Sequence, residues 1–222
     1  MLFRLTTALV ALLTASPLLA QVEPQYDPDD KQHQAIMQHL RENRRKYGDD
    51  ATILQGLLMA HAVDGDAVLT AESGIKGFHE DAGKKYLRYK VATGMVLNDK
   101  FMNLDGRLSH IWDTVLEKSF LTYPSFSVPA DGVLIELTYN HKPYGTAQDL
   151  YREMDDLGPL ESARFFFLSE DIGHFIAQKL PAKDLLARAR VHVDDRPVDF
   201  VLQQAMTVPR RGSADAAPMV ME

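Results

Sequence analysis

Hydrophobic and polar residues alternate along residues 84–97 and again along residues 133–140. Successive side chains of a strand point to opposite faces, so this alternation predicts two half-buried strands. A short aromatic run at residues 163–168 is typical of a more deeply buried strand, because phenylalanine is enriched in sheets. The three segments together predict a sheet.

Two further stretches have the pattern of hairpins, in which short apolar segments flank a turn dipeptide. One lies at residues 59–70 around Asp64-Gly65, and the other at residues 190–201 around Asp194-Asp195. The positions just before the first hairpin also recur at helical intervals, so we expect a helix that gives way to strands there. The helically spaced positions are Ile53, Leu54, Leu57, Leu58 and His61.

Four other segments show the spacing of amphipathic helices, with apolar residues at intervals of three and four. The clearest begins at Asn103 or Asp105 and continues to Leu116. Another has a capping pattern at its start and Gly158-Pro159 at its end. The predicted helices cover residues 31–47, 104–116, 146–157 and 172–180.

Helices and strands are interspersed along the chain, and the hairpins argue against an all-parallel sheet. We therefore predict an α+β fold, with an antiparallel or mixed sheet and several amphipathic helices packed on it. No fixed-period repeat relates one half of the sequence to the other.

The N-terminal segment carries Arg4, then a mostly apolar run, then small residues up to Ala20. This order predicts a secretory signal peptide and hence a periplasmic or extracellular protein. The same patterns of apolar, polar and small residues predict the domain boundaries. They are a signal peptide at 1–20, a flexible leader at 21–30, a single globular domain at 31–206 with a candidate subdivision near 123–132, and a disordered tail at 207–222.

The composition narrows the function classes. The 222-residue chain has no cysteine, so its stability must come from apolar burial, which a hydrophobic content of 45% permits. Its net charge of −7 disfavours binding to nucleic acid or to anionic lipid. No Gly-x-Gly-x-x-Gly or Gly-Lys-Ser/Thr motif predicts a nucleotide site, and no spacing supplies the ligands of a closed metal site. We therefore predict no cofactor and no metal.

Candidate catalytic side chains are confined to histidines and carboxylates, since no nucleophile motif is present. His192 and Asp194 are two apart on a predicted strand and would project from the same side. His79-Glu80-Asp81 lies between glycines in a predicted loop, where functional residues are common. The full set of candidates is His79, Glu80, Asp81, His141, His192 and Asp194.

Two other groups of ionisable residues have an ordinary structural interpretation. Glu170 and His174 are four apart on a predicted helix and lie opposite its apolar face, so we expect a surface pair. His110, Asp113 and Glu117 are likewise expected on the solvent face of their helix.

These observations leave three hypotheses. The first is an exported, non-enzymatic binding or scaffold protein whose partner is an envelope protein. The second is a periplasmic hydrolase whose histidine and carboxylates are brought together by the fold. The third is a carrier of a small apolar ligand, with a pocket lined by the aromatic run at 165–167.

Overall fold

The structure is a computed structural model that describes residues 31–64, 72–99, 102–122, 126–142 and 158–203. The predicted signal peptide, the leader, the helix at 146–157 and the tail lie outside the described residues.

Six strands form one mixed sheet in which spatial order follows chain order. The strands β2 and β3 run parallel, and every other neighbouring pair is antiparallel. This arrangement confirms the predicted α+β fold with a mixed sheet. The strands are β1 (Gly74–Asp81), β2 (Lys84–Asn98), β3 (Gly132–Lys142), β4 (Leu160–Leu168), β5 (Arg190–Val193) and β6 (Arg196–Val198).

The helix predicted to end at Tyr47 and the helix predicted to begin after Asn103 do so, whereas the helix predicted at 172–180 lies at 169–176 and the helix at 182–188 was not predicted. Gly48 follows the first helix with a φ of 92°, a left-handed conformation that glycine adopts without strain. Asn103 caps the third helix, because its Oδ1 accepts a hydrogen bond from the Gly106 amide at 2.8 Å. The helices are α1 (Lys31–Tyr47), α2 (Asp49–Asp64), α3 (Leu104–Ile111), α4 (Glu117–Thr122), α5 (Ser169–Ile176) and α6 (Ala182–Arg188), with a π-helical turn at Trp112–Leu116 between α3 and α4.

Within the described ranges, no helix combines the length and the apolar character that a membrane crossing requires.

The prediction that the first arm of the hairpin at 59–70 is a strand is wrong. Residues 59–64 continue helix α2, and the second arm lies outside the described residues. Leu54, Leu57 and Leu58 are buried on one side of this helix. Their tertiary packing outweighs the local turn signal of Asp64-Gly65, because helices in proteins are stabilised mainly by a buried apolar face.

The main core lies between the sheet and the helices, on the side that we call the inner face. Each of the six helices contributes side chains to it, and Trp112 of the π-helical turn is fully buried there. The aromatic run divides between the two faces. Phe165 and Phe167 are buried in the main core, whereas Phe166 lies on the opposite side, the outer face.

The outer face has a small apolar cluster of its own, formed by Tyr86, Leu134 and Phe166. Arg190 of β5 forms an ion pair with Asp81 of β1 above this cluster. In a flat sheet these strands would be about 19 Å apart, farther than the two side chains can span together. The sheet is therefore curled, and its outer face is a trough closed at one end by the Asp81–Arg190 pair.

Gly132 of β3 tests how tightly the sheet packs. A Cβ at Gly132 would overlap the carbonyl oxygen of Phe167 and lie 3.0 Å from the Tyr86 ring. We expect Gly132→Ala to lower the free energy of unfolding by at least about 2 kcal/mol, measured by chemical denaturation. Gly173→Ala is the control, because nothing lies within 4 Å of its added methyl and alanine favours helix. Equal stability of the two variants would contradict this packing.

Candidate functional site

Several ionisable side chains meet at the edge of the sheet where the parallel strands β2 and β3 end. The antiparallel strand β4 starts at this edge, and helix α3 starts beside it. In open sheets with parallel strands, ligand sites commonly lie outside the carboxyl ends of the strands. The residues that meet here, which we call the carboxyl-edge cluster, are Asp99, Arg107, Tyr139, His141 and Glu161.

The local sequence explains why each side chain points into the cluster. Arg107 is three residues after Leu104 and four before Ile111, so it occupies the apolar side of α3. Tyr139 has the same strand parity as Val133, Ile135 and Leu137, and it faces inward with them. His141 continues that series at the end of β3.

Glu161 has the inward parity of Ala163 and Phe165 on the neighbouring strand β4.

Arg107 and His141 each contact both carboxylates of the cluster. Arg107 forms an ion pair with Asp99 through Nη1, and its Nη2 lies 3.5 Å from Glu161 Oε2. His141 Nε2 lies 2.9 Å from Asp99 Oδ2, and its Nδ1 lies 3.6 Å from Glu161 Oε2. The inner members are nearly closed off from solvent, whereas the Asp99 and His141 side chains are 34% and 22% exposed. The cluster therefore has an accessible rim and a buried wall.

The polar atoms of the cluster are partnered mainly by one another. Seven buried side-chain atoms in the described ranges lack a hydrogen bond of ordinary geometry, and four belong to this cluster: Arg107 Nε, Tyr139 Oη, His141 Nε2 and Glu161 Oε2. Of these, His141 Nε2 and Glu161 Oε2 still contact Asp99 and Arg107 in the ion pairs described above, and the Tyr139 hydroxyl interacts with the Glu161 carboxylate. Buried polar groups in proteins are nearly always paired, and here the cluster supplies most of the partners itself.

Burial raises the pKa of Tyr139 far above its usual range, and the neighbouring Glu161 carboxylate raises it further. The phenol is therefore neutral at every physiological pH and can both donate and accept a hydrogen bond. Among the residues that the structure describes, no group of three or more histidine and carboxylate side chains is arranged to hold a metal ion. The cluster offers hydrogen bonds and charge, in a compact arrangement of one phenol, one imidazole, one guanidinium and two carboxylates.

The six predicted catalytic candidates do not meet at one place, and only His141 belongs to the carboxyl-edge cluster. His79 and Asp81 lie on strand β1, not in a loop, because the turn is confined to Ala82 and Gly83. The imidazole of His79 lies 6.0 Å from the Phe166 ring, and Asp81 pairs with Arg190. Glu80 is exposed on the same strand.

His192 and Asp194 also differ from the expectation that they project together. The His192 ring packs 5.2 Å from Phe166 on the outer face. Asp194 is in the β5–β6 turn with a positive φ, and its Oδ1 accepts a hydrogen bond from the Ser162 amide at 2.9 Å. The turn geometry rotates Asp194 out of the strand alternation, so the two side chains serve separate structural contacts.

The outer face carries paired charges in the middle of its trough. Glu136, whose side chain is only 7% exposed, accepts hydrogen bonds from Arg88 at 2.6 Å and from Arg164 at 3.2 Å. Arg164 also pairs with Asp195, and Lys90 pairs with Glu72. Because every one of these cations has an acidic partner, the face is polar but close to neutral.

His110, Asp113 and Glu117 are half-buried, not fully solvent-exposed as predicted. The π-helical turn lies within this stretch and changes the helical phase of the residues that follow it. Burial lowers the pKa of His110 and raises the pKa of Asp113. Glu170 and His174 are both exposed on α5, as expected of a surface pair.

The aromatic run does not line a common pocket. Phe165 and Phe167 stack at 6.1 Å in the main core, and Phe167 also packs on Trp112 and Phe120. Phe166 faces Tyr86 across the outer face at 5.4 Å.

Sequence reasoning missed Asp99, Arg107, Tyr139 and Glu161. A signal was present, because Arg107 and Glu161 are charged residues at positions whose periodicity predicts burial. Buried charges in proteins are paired or functional, so these two positions were the informative exceptions.

No family model, no curated protein and no solved structure matches the chain.

Burial raises the pKa of Glu117, and the nearby Asp113 carboxylate raises it further. A carboxyl whose pKa is higher in the folded state destabilises that state once it ionises, so stability is lost as pH rises through this range. We expect Glu117→Gln to raise the free energy of unfolding by a few tenths of a kcal/mol at about pH 7, because the side chain is only partly shielded from solvent. The gain should vanish near pH 3.5, below the ordinary pKa of glutamate.

Urea denaturation at both pH values measures this difference. Glu170→Gln is the matched control, since Glu170 is an exposed helical glutamate. A gain from Glu117→Gln that is equal at the two pH values would contradict the assignment.

Proposed function

We propose that this chain is an exported, non-enzymatic binding protein of the cell envelope that takes a protein partner on the outer face of its sheet. The observation that carries the proposal is the asymmetry of the fold. All six described helices contribute side chains to the core on the inner face, while the outer face is a curled trough lined by strand side chains. A concave sheet face of this kind is a rigid surface on which a partner can rest.

The composition of the outer face supports this role. Arginine and tyrosine are enriched at the energetic centres of protein interfaces. The outer face has both, in Arg88, Arg164, Arg190 and Tyr86.

The open end of the trough is apolar and exposed. Val96 of β2 and Leu160 of β4 flank Asn140 of β3 in one cross-strand row. Val96 is 41% exposed and Leu160 is 64% exposed. Two large apolar side chains on neighbouring positions of one face favour contact with apolar groups of a partner.

The charge distribution favours the same surface. The whole chain has a net charge of −7, whereas Arg88, Lys90, Arg164 and Arg190 on the outer face each form an ion pair with an acidic side chain. A partner with an ordinary acidic surface therefore meets little repulsion from these paired residues.

Hydrolysis at the carboxyl-edge cluster is a second candidate function, favoured by the contacts of His141 with Asp99 and Glu161. A general base needs an accepting nitrogen within reach of the substrate. Both ring nitrogens of His141 lie against carboxylate oxygens, at 2.9 Å and 3.6 Å, so each is directed at a neighbouring side chain and not toward a substrate. This arrangement supports hydrogen bonding better than proton abstraction, so we place binding first.

Site-specific photo-crosslinking in cells that produce the protein tests the binding function. A benzophenone amino acid at position 160 is expected to capture one envelope protein, identified by mass spectrometry. The same probe at position 121 is the control, since Leu121 is 53% exposed on α4, away from the outer face. No adduct at position 160, or the same adducts at both positions, would contradict the proposal.

A pair of variants shows whether the captured protein contacts the open end of the trough. Val96→Asp places a charge in the same cross-strand row and should abolish the adduct at position 160. Leu121→Asp adds the same charge on the helical side and should leave the adduct unchanged. Both positions are exposed, so neither substitution should disturb folding.

A further inference from the structure

We propose that the free edge of strand β1 binds an extended, acidic segment of a partner protein, which adds to the sheet as a further strand. β1 is the first strand in the spatial order of the sheet, and in the described part of the chain only β2 pairs with it. An edge strand presents backbone N–H and C=O groups that recognise another extended chain. The proposal does not depend on the outer-face partner, because the open end of the trough lies beyond Lys90, the last residue of β2 that β1 covers.

The turn at the end of β1 determines the direction of its backbone groups. Ala82 and Gly83 both have a positive φ, of 48° and 73°, and form a two-residue hairpin turn. In such a hairpin the flanking pair, here Asp81 and Lys84, exchanges hydrogen bonds, and bonded and non-bonded pairs then alternate along the ladder. The next residue, Glu80, therefore directs its N–H and C=O away from β2, toward the free edge.

The contacts of Lys85, which lies opposite Glu80 in the ladder, support this direction. Its N–H donates to Asp131 Oδ2 and its C=O accepts from the Asp131 amide, both at 2.8 Å, on the side of β2 where β3 begins. The backbone groups of Lys85 therefore point away from Glu80. Phe78 lies two residues before Glu80 and has the same backbone direction. Four backbone groups, two from each residue, thus face the free edge.

The stretch of β1 that can accept a strand is short and regular. Residues 78–80 are all exposed, and a β-bulge between Ile75 and Gly77 interrupts the ladder before them. Natural edge strands are commonly blunted by a bulge, a proline or a very short length. The opposite edge strand, β6, has three residues and includes Pro197. Residues 78–81 have neither feature, so the β1 edge is the more receptive of the two.

The side chains beside this edge indicate which residues the segment contains. The Phe78 ring is 42% exposed and packs edge-to-face on Tyr47 of α1, with ring centroids 5.7 Å apart. Lys85 Nζ lies 3.8 Å from the Phe78 ring centroid, and Lys46 Nζ lies 5.0 Å from the Tyr47 ring centroid. The exposed aromatic ring favours contact with an apolar side chain of the segment.

The charge beside the edge favours an acidic segment. Lys46 and Lys85 are both exposed, and neither forms an ion pair with another described residue. On a chain whose net charge is −7, these two cations form a local site for carboxylates, and a basic segment would be repelled there. The backbone groups of the edge require a peptide backbone in return, so the ligand is a segment of protein and not a lipid or a nucleic acid.

NMR titration of the isotope-labelled protein with synthetic peptides tests the proposal. The probe is Thr-Val-Glu-Val-Glu-Val, and the comparisons are Thr-Val-Lys-Val-Lys-Val and Thr-Val-Glu-Pro-Glu-Val. We expect saturable binding of the first peptide only, because the lysines repel the second and proline cannot extend the ladder in the third. New hydrogen bonds should slow hydrogen exchange of the Phe78 and Glu80 amides. The His79 amide, which already faces β2, should change little.

Two substitutions at one position separate the backbone contribution from that of the side chain. Glu80→Pro removes the outward N–H without removing a bond to β2, so it should weaken binding of the acidic peptide about tenfold, the usual effect of one lost hydrogen bond. Glu80→Ala is the control, because it keeps the amide and should bind at least as tightly as the parent. Urea denaturation of both variants checks that the fold is retained.

A charge-reversal pair tests the lysine contribution without altering the backbone. Lys85→Glu should weaken binding of the acidic peptide about fivefold, of the order expected for one partly exposed ion pair. Lys84→Glu is the matched control, since Lys84 is also exposed but has the strand parity of Tyr86 on the outer face. It should change the affinity little.

Four results would overturn the proposal. The first three are unchanged exchange of the Phe78 and Glu80 amides with the acidic peptide, equal binding of the basic peptide, and equal affinity of Glu80→Pro and Glu80→Ala. The fourth is slowed exchange of both amides that depends on protein concentration without peptide, which would assign the edge to a second copy of this chain. Each of these leaves the crosslinking result at position 160 unaffected, so the two proposals fail separately.

Discussion

The parallel pairing of β2 with β3 is the constraint on which the rest of the structure depends. Parallel neighbours cannot be joined by a tight turn, so the chain must cross over from one end of the sheet to the other. Here the crossover contains α3, the π-helical turn and α4, and it places Trp112 at the centre of the core. The same crossover begins at the edge where both strands end. It therefore delivers Arg107 to the carboxylates of Asp99 and Glu161.

Much of the fold was predictable because the local periodicity of hydrophobic residues determines its strands and helices. Strand alternation at 84–97 and 133–140 and the helical spacing after Asn103 correspond to β2, β3 and α3. Where a local turn signal competed with tertiary packing, the prediction from the turn signal was wrong. Asp64-Gly65 favours a turn, but the buried leucines of α2 extend the helix through residue 64. The π-helical turn also has no simple periodic signature, which is why the half-burial of Glu117 was not foreseen.

The candidate site was less predictable, because it is made by register between strands that are distant in sequence. Parity alone turns Tyr139, His141 and Glu161 inward, but only the β3–β4 register brings Glu161 beside Tyr139. Position in a predicted loop did not identify the functional residues. His79 and Asp81 are strand residues, and His79 packs near Phe166 on the outer face. Charged residues on apolar faces would have been the better guide.

The closed end of the trough also bears on how the chain reaches its native state. The contact of Arg190 with Tyr86 joins residues 104 positions apart, and the pairing of Arg190 with Asp81 spans a comparable length. Contacts between residues so far apart in the sequence form slowly, because the chain loses the entropy of a long loop before the contact stabilises it. Until β5 pairs with β4, the apolar side chains of Phe166 and Leu134 remain exposed to solvent and can associate with other apolar groups. No disulfide can hold the early strands together in the meantime, since the chain has no cysteine. We therefore expect the trough to close late in folding.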